Sequence, residues 1–235
     1  MLAIYKREMR SYFATVIGYA FLVIFLVVGA VIFSLTTLFS MSADVTSYYL
    51  YMMIFSGVVL PLLTMKSFSE ERKIKTEQLT LTAPVSLISM VMGKFLAAMT
   101  VFFGAVTVSS LSFLFLFPYA SVKTATLFGN YLALLLVGMT FISIGLFVSS
   151  LTENQLSAAV GTIAIILALL AVGVVNLLLP SSYFLRYVFD FLSIFTRFQA
   201  FTNGYFDLSS LFYYLSISAV FLYLTVRVYD RRRCS

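Results

Sequence analysis

The stretch VIGYAFLVIFLVVGAVIFSLTTLF, residues 16–39, holds no charged side chain. A helix needs ~20 consecutive apolar residues to cross a bilayer. This run meets that length and exceeds the apolar region of a cleaved leader. Lys6, Arg7 and Arg10 precede it, and no small-x-small site ends it cleanly, so it reads as a retained span. Five further apolar runs follow at about 48–65, 87–117, 125–150, 156–179 and 210–228. The third is too long for one straight span, so part of it is expected outside the hydrocarbon core. Barrel strands are far shorter than any of these runs, which excludes a closed sheet.

Composition agrees. The chain of 235 residues is 62% hydrophobic and 10% charged, against about 45–50% and ~25% in soluble domains. No gap between the runs holds the ~100 residues of an ordinary domain. The expected fold is an all-α integral membrane protein with six transmembrane helices in a single domain, 1–235.

Lysine and arginine set the orientation. One side receives Lys6, Arg7, Arg10, Lys66, Arg72, Lys73, Lys75, Lys94, Arg227, Arg231, Arg232 and Arg233; the other receives Lys123, Arg186 and Arg197. Twelve against three predicts that both termini are cytoplasmic. The net charge of +6 is that topology signal, together with attraction to anionic lipid heads. It gives no reason to expect nucleic acid as a partner.

Residues 66–84, KSFSEERKIKTEQLTLTAP, are the densest charged stretch and fall on the cytoplasmic side. Ser67 and Glu70 fit a capping box, S-x-x-E. Glu71 and Lys75 stand at i, i+4 in the favourable order. Ala83-Pro84 ends the element, because the residue before proline avoids helix. The segment 66–86 therefore predicts a short polar helix beside the membrane, longer than a plain connector needs to be. Residues 1–15 predict an amphipathic interfacial helix, with Leu2, Tyr5, Met9, Tyr12 and Phe13 on one face and Lys6, Arg7 and Arg10 on another. It is either a positive-inside anchor or a lever that meets a partner.

The outer segment 180–209 keeps helical spacing in Phe184, Tyr187, Val188, Phe191, Phe195 and Phe198. Arg186, Asp190, Ser193 and Arg197 form its polar stripe. This predicts an interfacial helix in the outer leaflet, broken at Asn203-Gly204. Arg186, Asp190 and Arg197 belong either to a shield over the bundle or to an outer gate. Asp207, Ser209 or Ser210 is expected to cap the last span.

The chemistry that is missing narrows the function. There is no histidine, and the single cysteine is Cys234. That excludes Cys/His zinc sites, histidine-ligated haem, a disulfide framework and a Ser-His nucleophile. No P-loop is present; Gly93-Lys94 lacks the upstream glycine, Ile88 standing in its place. No ionisable residue falls at the middle of a run, which disfavours ion-coupled transport. An enzyme is not expected. The spans carry Ser34, Thr36 and Thr37, then Ser109, Ser110 and Ser112, then Thr140 and Ser143, then Thr162 and Asn176. These serve either interhelical hydrogen bonding or a weakly polar translocation surface, represented best by Ser34, Thr36, Thr37, Ser109, Ser112, Thr140, Ser143 and Asn176.

FSEER at 68–72, TEQLTLTAPVS at 76–86 and SSLTENQLSAA at 149–159 resemble motifs of one family. IYKREMRSYF and YLTVRVYDRRR near the two ends add to the likeness. The chain resembles the permease subunit of ABC transporters of the type-2 export class, near its gliding-motility-type branch of short six-span permeases. That family often has glycine where this chain has Lys75. The resemblance implies a cytoplasmic-membrane exporter in which two permeases, identical or different, each pair with a separate ATP-binding subunit. ATP and magnesium would be held by that subunit, and this chain would bind no cofactor. Segment 66–86 would be the coupling helix, with Glu70, Glu71, Arg72, Thr76 and Glu77 as contacts. Glu153, Asn154 and Gln155 would form a second contact, and the outer segment a re-entrant element. The alternative is a structural or regulatory membrane protein that docks an ATPase without moving a substrate. Cargo is not encoded in any motif.

Overall fold

A computed structural model describes residues 1–41, 44–76, 86–116, 123–178, 193–202 and 207–234. Among these all the regular secondary structure is helical. A short helix α1, Leu2–Ala14, precedes α2, Val16–Phe33, which ends in a π-helical turn, Ser34–Leu38. Then come α3 (Val45–Thr64), α4 (Lys66–Lys73), α5 (Leu87–Ser110) with a 3-10 extension Leu111–Leu116, α6 (Thr124–Leu151), α7 (Gln155–Leu178), α8 (Ile194–Thr202) and α9 (Leu208–Cys234). Six stretches are long and apolar enough to cross a membrane: Val16–Leu38, Val45–Lys73, Leu87–Leu116, Thr124–Leu151, Gln155–Val175 and Leu208–Arg233. They match the six expected runs. The overlong third run resolves into α5 and its tighter 3-10 end.

Helix α6 is apolar around its whole circumference, as a central helix must be. It packs on α3, α5, α7, α8 and α9. Two glycines permit the closest approaches. A Cβ on Gly138 would overlap the Phe102 ring of α5, and one on Gly145 would overlap Thr64 of α3. Phe21, Phe25, Phe102, Phe113 and Phe141 fill the spaces between helices. Helices α2 and α9 bury the smallest share of their surface in this chain.

Several helix starts are capped by side chains of the kind that suit an N-cap. The Asp44 carboxylate accepts from the amides of Thr46 (3.0 Å) and Ser47 (3.4 Å) at α3. At α9 Asp207 is the cap, accepting from the amides of Ser209 and Ser210 at 3.0 and 3.2 Å. Ser86 caps α5 through the Ser89 amide.

The packed face of α1 departs from the expected one. Leu2 and Phe13 are exposed, while Glu8 and Tyr12 are buried and Ile4, Tyr5 and Met9 pack beside them. The stripe runs at i, i+4 through Ile4, Glu8 and Tyr12, so a carboxylate sits at its centre.

Candidate functional site

Helix α4 follows α3 almost without interruption. Pro61 in α3 supplies no amide to the helix ladder, which loosens the last turn. Met65 then stays helical (φ −56°, ψ −34°) and joins the two helices. The expected capping box is therefore absent. Ser67 lies inside the helix and makes no cap bond, because the amides at the start of α4 already have partners. Ser149 of α6 supplies them: its Oγ accepts from the amides of Phe68 and Ser69, both at 3.2 Å, and donates to the Met65 carbonyl at 3.1 Å. One buried hydroxyl thus fastens the α3–α4 junction to α6.

The far side of α4 meets α1 and α5. Lys94, in the second turn of α5, is only 1% exposed. Its ammonium donates to Glu71 (2.9 Å), Glu8 (3.2 Å) and the Ser67 carbonyl (2.5 Å), and lies 4.9 Å from the Phe68 ring. Arg7 donates to the same two carboxylates at 2.7 and 2.9 Å. Burial pulls the Arg7 pKa down, but hydrogen bonding to Glu8 and the Glu71 and Glu8 charges outweigh it and raise it. Two cations and two carboxylates balance, as buried charge requires. Tyr12 closes the cluster: its hydroxyl donates to the Leu63 carbonyl and lies 3.3 Å from Ser67 Oγ. Burial raises the Tyr12 pKa.

Two readings of the charges are corrected here. The i, i+4 pair is Lys66–Glu70, at 3.7 Å, and not Glu71–Lys75. Glu71 is drawn inward by Lys94 and Arg7, and Lys75 turns away in a left-handed conformation, φ 58°. Lys94, counted above with the cytoplasmic-side charges, is an internal counter-ion within α5.

The third side of α4 grips the end of α6. Arg72 donates to the Leu151 carbonyl at 2.9 Å and pairs with Glu153 at 3.0 Å. Arg232 of α9 donates to the Ser150 carbonyl at 2.7 Å. These arginines satisfy carbonyls that the end of α6 leaves open. Phe68 packs on Tyr229 at 4.9 Å between ring centroids. Asn154 accepts from the Leu156 amide and starts α7. Of the two segments expected to form separate contacts, 66–86 and 153–155, the described part of the first is therefore joined to the second in one surface. At its tip Ile74 is 62% exposed among charged neighbours.

Several of the described polar span residues bond within their own helices. Ser34 donates to the carbonyls of Ala30 and Val31, and Thr36 to Ile32. Thr140 donates to Leu136, and Ser143 to Thr140. Ser109 meets the Tyr48 hydroxyl and Ser110 accepts from Tyr49. Thr37 Oγ1 is buried with no partner among the described residues, and Ser112 is half-buried on the 3-10 turn. Thr36 lines an apolar groove of about 550 Å³ between α2 and α3. Of the outer segment, α8 is described. Ser193 caps it through the Thr196 amide at 3.1 Å, and Ile194, Phe198 and Phe201 are buried. Arg197 donates to Ser209 at 3.0 Å and faces the Tyr213 ring. Glu77, Arg186, Asp190 and the Asn203-Gly204 break lie outside the described residues, as does the side chain of Asn176.

A family model for the ABC-2 family transporter protein matches residues 34–233. The chain belongs to that family. It is a multi-pass membrane protein and an ABC-2 permease, a class of transport component that is generally non-catalytic. Among curated proteins, none matches the chain. In this ABC-2 permease the match takes in α4, Lys94, Ser149 and Arg232, whereas α1 with Arg7 and Glu8 precedes it. Sequence reading missed Glu8, Lys94 and Ser149 as structural partners of α4. Two of them carried a signal: a carboxylate on the i, i+4 apolar stripe of α1, and one lysine inside an apolar run.

Proposed function

We propose that this chain is the membrane-spanning subunit of an ATP-driven exporter in the cytoplasmic membrane, with both termini cytoplasmic. A separate ATP-binding subunit, holding ATP and magnesium, would dock on the surface formed by α4 and the α6–α7 turn. The observation that carries this reading is the placement of α4. It is fastened to α1, α5 and α6 by hydrogen bonds of Glu71, Arg72 and the Ser149 hydroxyl and packs on α9 through Phe68 and Tyr229, yet its end is exposed. A displacement of α4 is thereby passed to four other helices, which is what coupling requires.

Within that surface Thr76, Glu77, Asn154 and Gln155, with the Arg72–Glu153 pair and Ile74, would meet the partner. Glu71 would act as an internal strut. A second permease copy, identical or different, would complete the pathway. Ser34, Thr36, Thr37, Ser109, Ser112, Thr140, Ser143 and Asn176 remain the candidate polar groups along it, and Arg186, Asp190 and Arg197 the outer gate. Because several of these hydroxyls are engaged by their own helices, an apolar or amphipathic cargo suits the interior better than a bare ion.

The test is co-expression with an ATP-binding subunit encoded beside it. A stable complex whose ATP turnover changes when the permease is present supports the proposal. Absence of association, with both chains folded, contradicts it.

A further inference from the structure

A cavity of about 250 Å³ opens where α1, α2 and α4 meet, with Ile17 and Ile74 beside the charged groups of its lining. The Arg7–Glu8–Glu71–Lys94 cluster forms its inner wall. Lys66 and Glu70 of α4, Ser11 and Thr15 form its outer part. Thr15 is the extended break between α1 and the first apolar run, and Val16 and Tyr19 beyond it are exposed. A helix lying against the membrane surface, followed by an apolar span, puts this opening at headgroup depth.

The inner charges satisfy one another by hydrogen bonds, whereas the outer ones are paired only loosely. Lys66 and Glu70 stand 3.7 Å apart, beyond hydrogen-bond distance, with side chains 27% and 40% exposed. Arg7 reaches both carboxylates through the same Nη2 and keeps 54% of its side chain exposed. We propose that the cavity binds a phospholipid headgroup of the phosphoethanolamine type, its phosphate on Lys66 and Arg7 and its primary ammonium on Glu70.

Charge and chemistry select this class. The cavity is lined by three cations, Arg7, Lys66 and Lys94, and three carboxylates, Glu8, Glu70 and Glu71. A headgroup with negative charge alone leaves the outer carboxylate opposed to it; a zwitterion matches both signs. A quaternary ammonium is recognised through aromatic faces. The aromatic residue in the lining is Tyr12, which is buried with its hydroxyl engaged. A primary ammonium instead donates charge-assisted hydrogen bonds to a carboxylate. The acyl chains would follow the exposed side of α2 along Val16, Tyr19 and Val23. This inference rests on the chain lying in a membrane with α1 at its surface, and it does not depend on docking of an ATPase.

The experiment uses the full chain, without any ATPase, in nanodiscs of phosphatidylcholine and phosphatidylglycerol. Part of the phosphatidylcholine is replaced by phosphatidylethanolamine or by its N-monomethyl or N,N-dimethyl form. Native mass spectrometry reads the retained lipid. The expected result is about a tenfold preference for phosphatidylethanolamine over phosphatidylcholine, the size of one charge-assisted hydrogen bond. It should fall with each added methyl and be lost in Glu70→Gln and in Lys66→Gln. Equal retention of the two lipids, preferential retention of phosphatidylglycerol, or a preference that survives in Glu70→Gln overturns the proposal. Competition by soluble glycerophosphoethanolamine supports recognition through the headgroup. Binding of that soluble compound with no lipid preference overturns the lipid assignment.

Discussion

Lys94 Nζ lies 2.9 Å from Glu71 Oε1 and 3.2 Å from Glu8 Oε1, joining α5 to α4 and α1. Removing one partner of a buried charge network costs about 3–5 kcal/mol, because the remaining charge is left unpaired. Lys94→Met is therefore expected to lower thermal stability in detergent by that order. Lys94→Met combined with Glu71→Gln should recover part of the loss, since it removes one orphaned carboxylate. Equal stability of Lys94→Met and the native chain would contradict the assignment.

Lys75 adopts φ 58°, in the left-handed region that glycine favours. It follows the C-terminal end of α4, with its amide donating to the Arg72 carbonyl at 3.1 Å, while Thr76 Oγ1 donates to Glu71. This is half of a Schellman turn. Lys75→Gly should stabilise α4 by about 1 kcal/mol, and Lys75→Val should weaken it. Differential melting of the three variants checks the order.

The approach of α3 to α6 depends on Gly145. Gly145→Val should cost about 1–3 kcal/mol through overpacking against Thr64. Gly104→Ala is the control, because nothing lies within 4 Å of a Cβ there. In Gly145→Ala, adding Thr64→Ala should restore part of the stability. Thermal unfolding distinguishes the three cases.

Hydrogen bonding from the Ser210 hydroxyl, then from the Ser209 and Ser210 amides, together with the Arg197 charge, holds the Asp207 carboxyl below its usual value. A carboxyl with a depressed folded pKa adds stability above its unfolded value, about 3.9, and loses it as pH falls through the folded value. The stability gap between the native chain and Asp207→Asn should thus be full near neutral pH and close below about pH 4. A pH series of melting curves reads it. A gap that widens in acid would contradict the cap.

The six spans were legible because a bilayer demands long apolar runs, and nothing soluble competes with that pattern. The Asp207 cap was legible within one turn. The wiring of α4 was not. Ser67 and Glu70 fit a capping box, but the continuation of α3 through Met65 and the hydroxyl of Ser149 removed the need for one. Glu71 suited Lys75 by spacing, yet a buried lysine from a distant helix outcompeted it. Tertiary partners of a charged residue leave no local spacing, so only the oddity of Glu8 and Lys94 in apolar surroundings pointed to them.

That wiring also changes how docking is best examined. Glu71→Arg disrupts the Lys94 network and so acts through the fold. Ile74 is exposed and contributes little to the fold of this chain, so Ile74→Glu isolates the outward face of α4. The decisive measurement is the affinity of the Ile74→Glu permease for its ATP-binding subunit, with permease melting followed in parallel. The account predicts binding at least about tenfold weaker, as for an apolar interface anchor, with melting unchanged. Unchanged affinity and unchanged ATP turnover would contradict docking through α4.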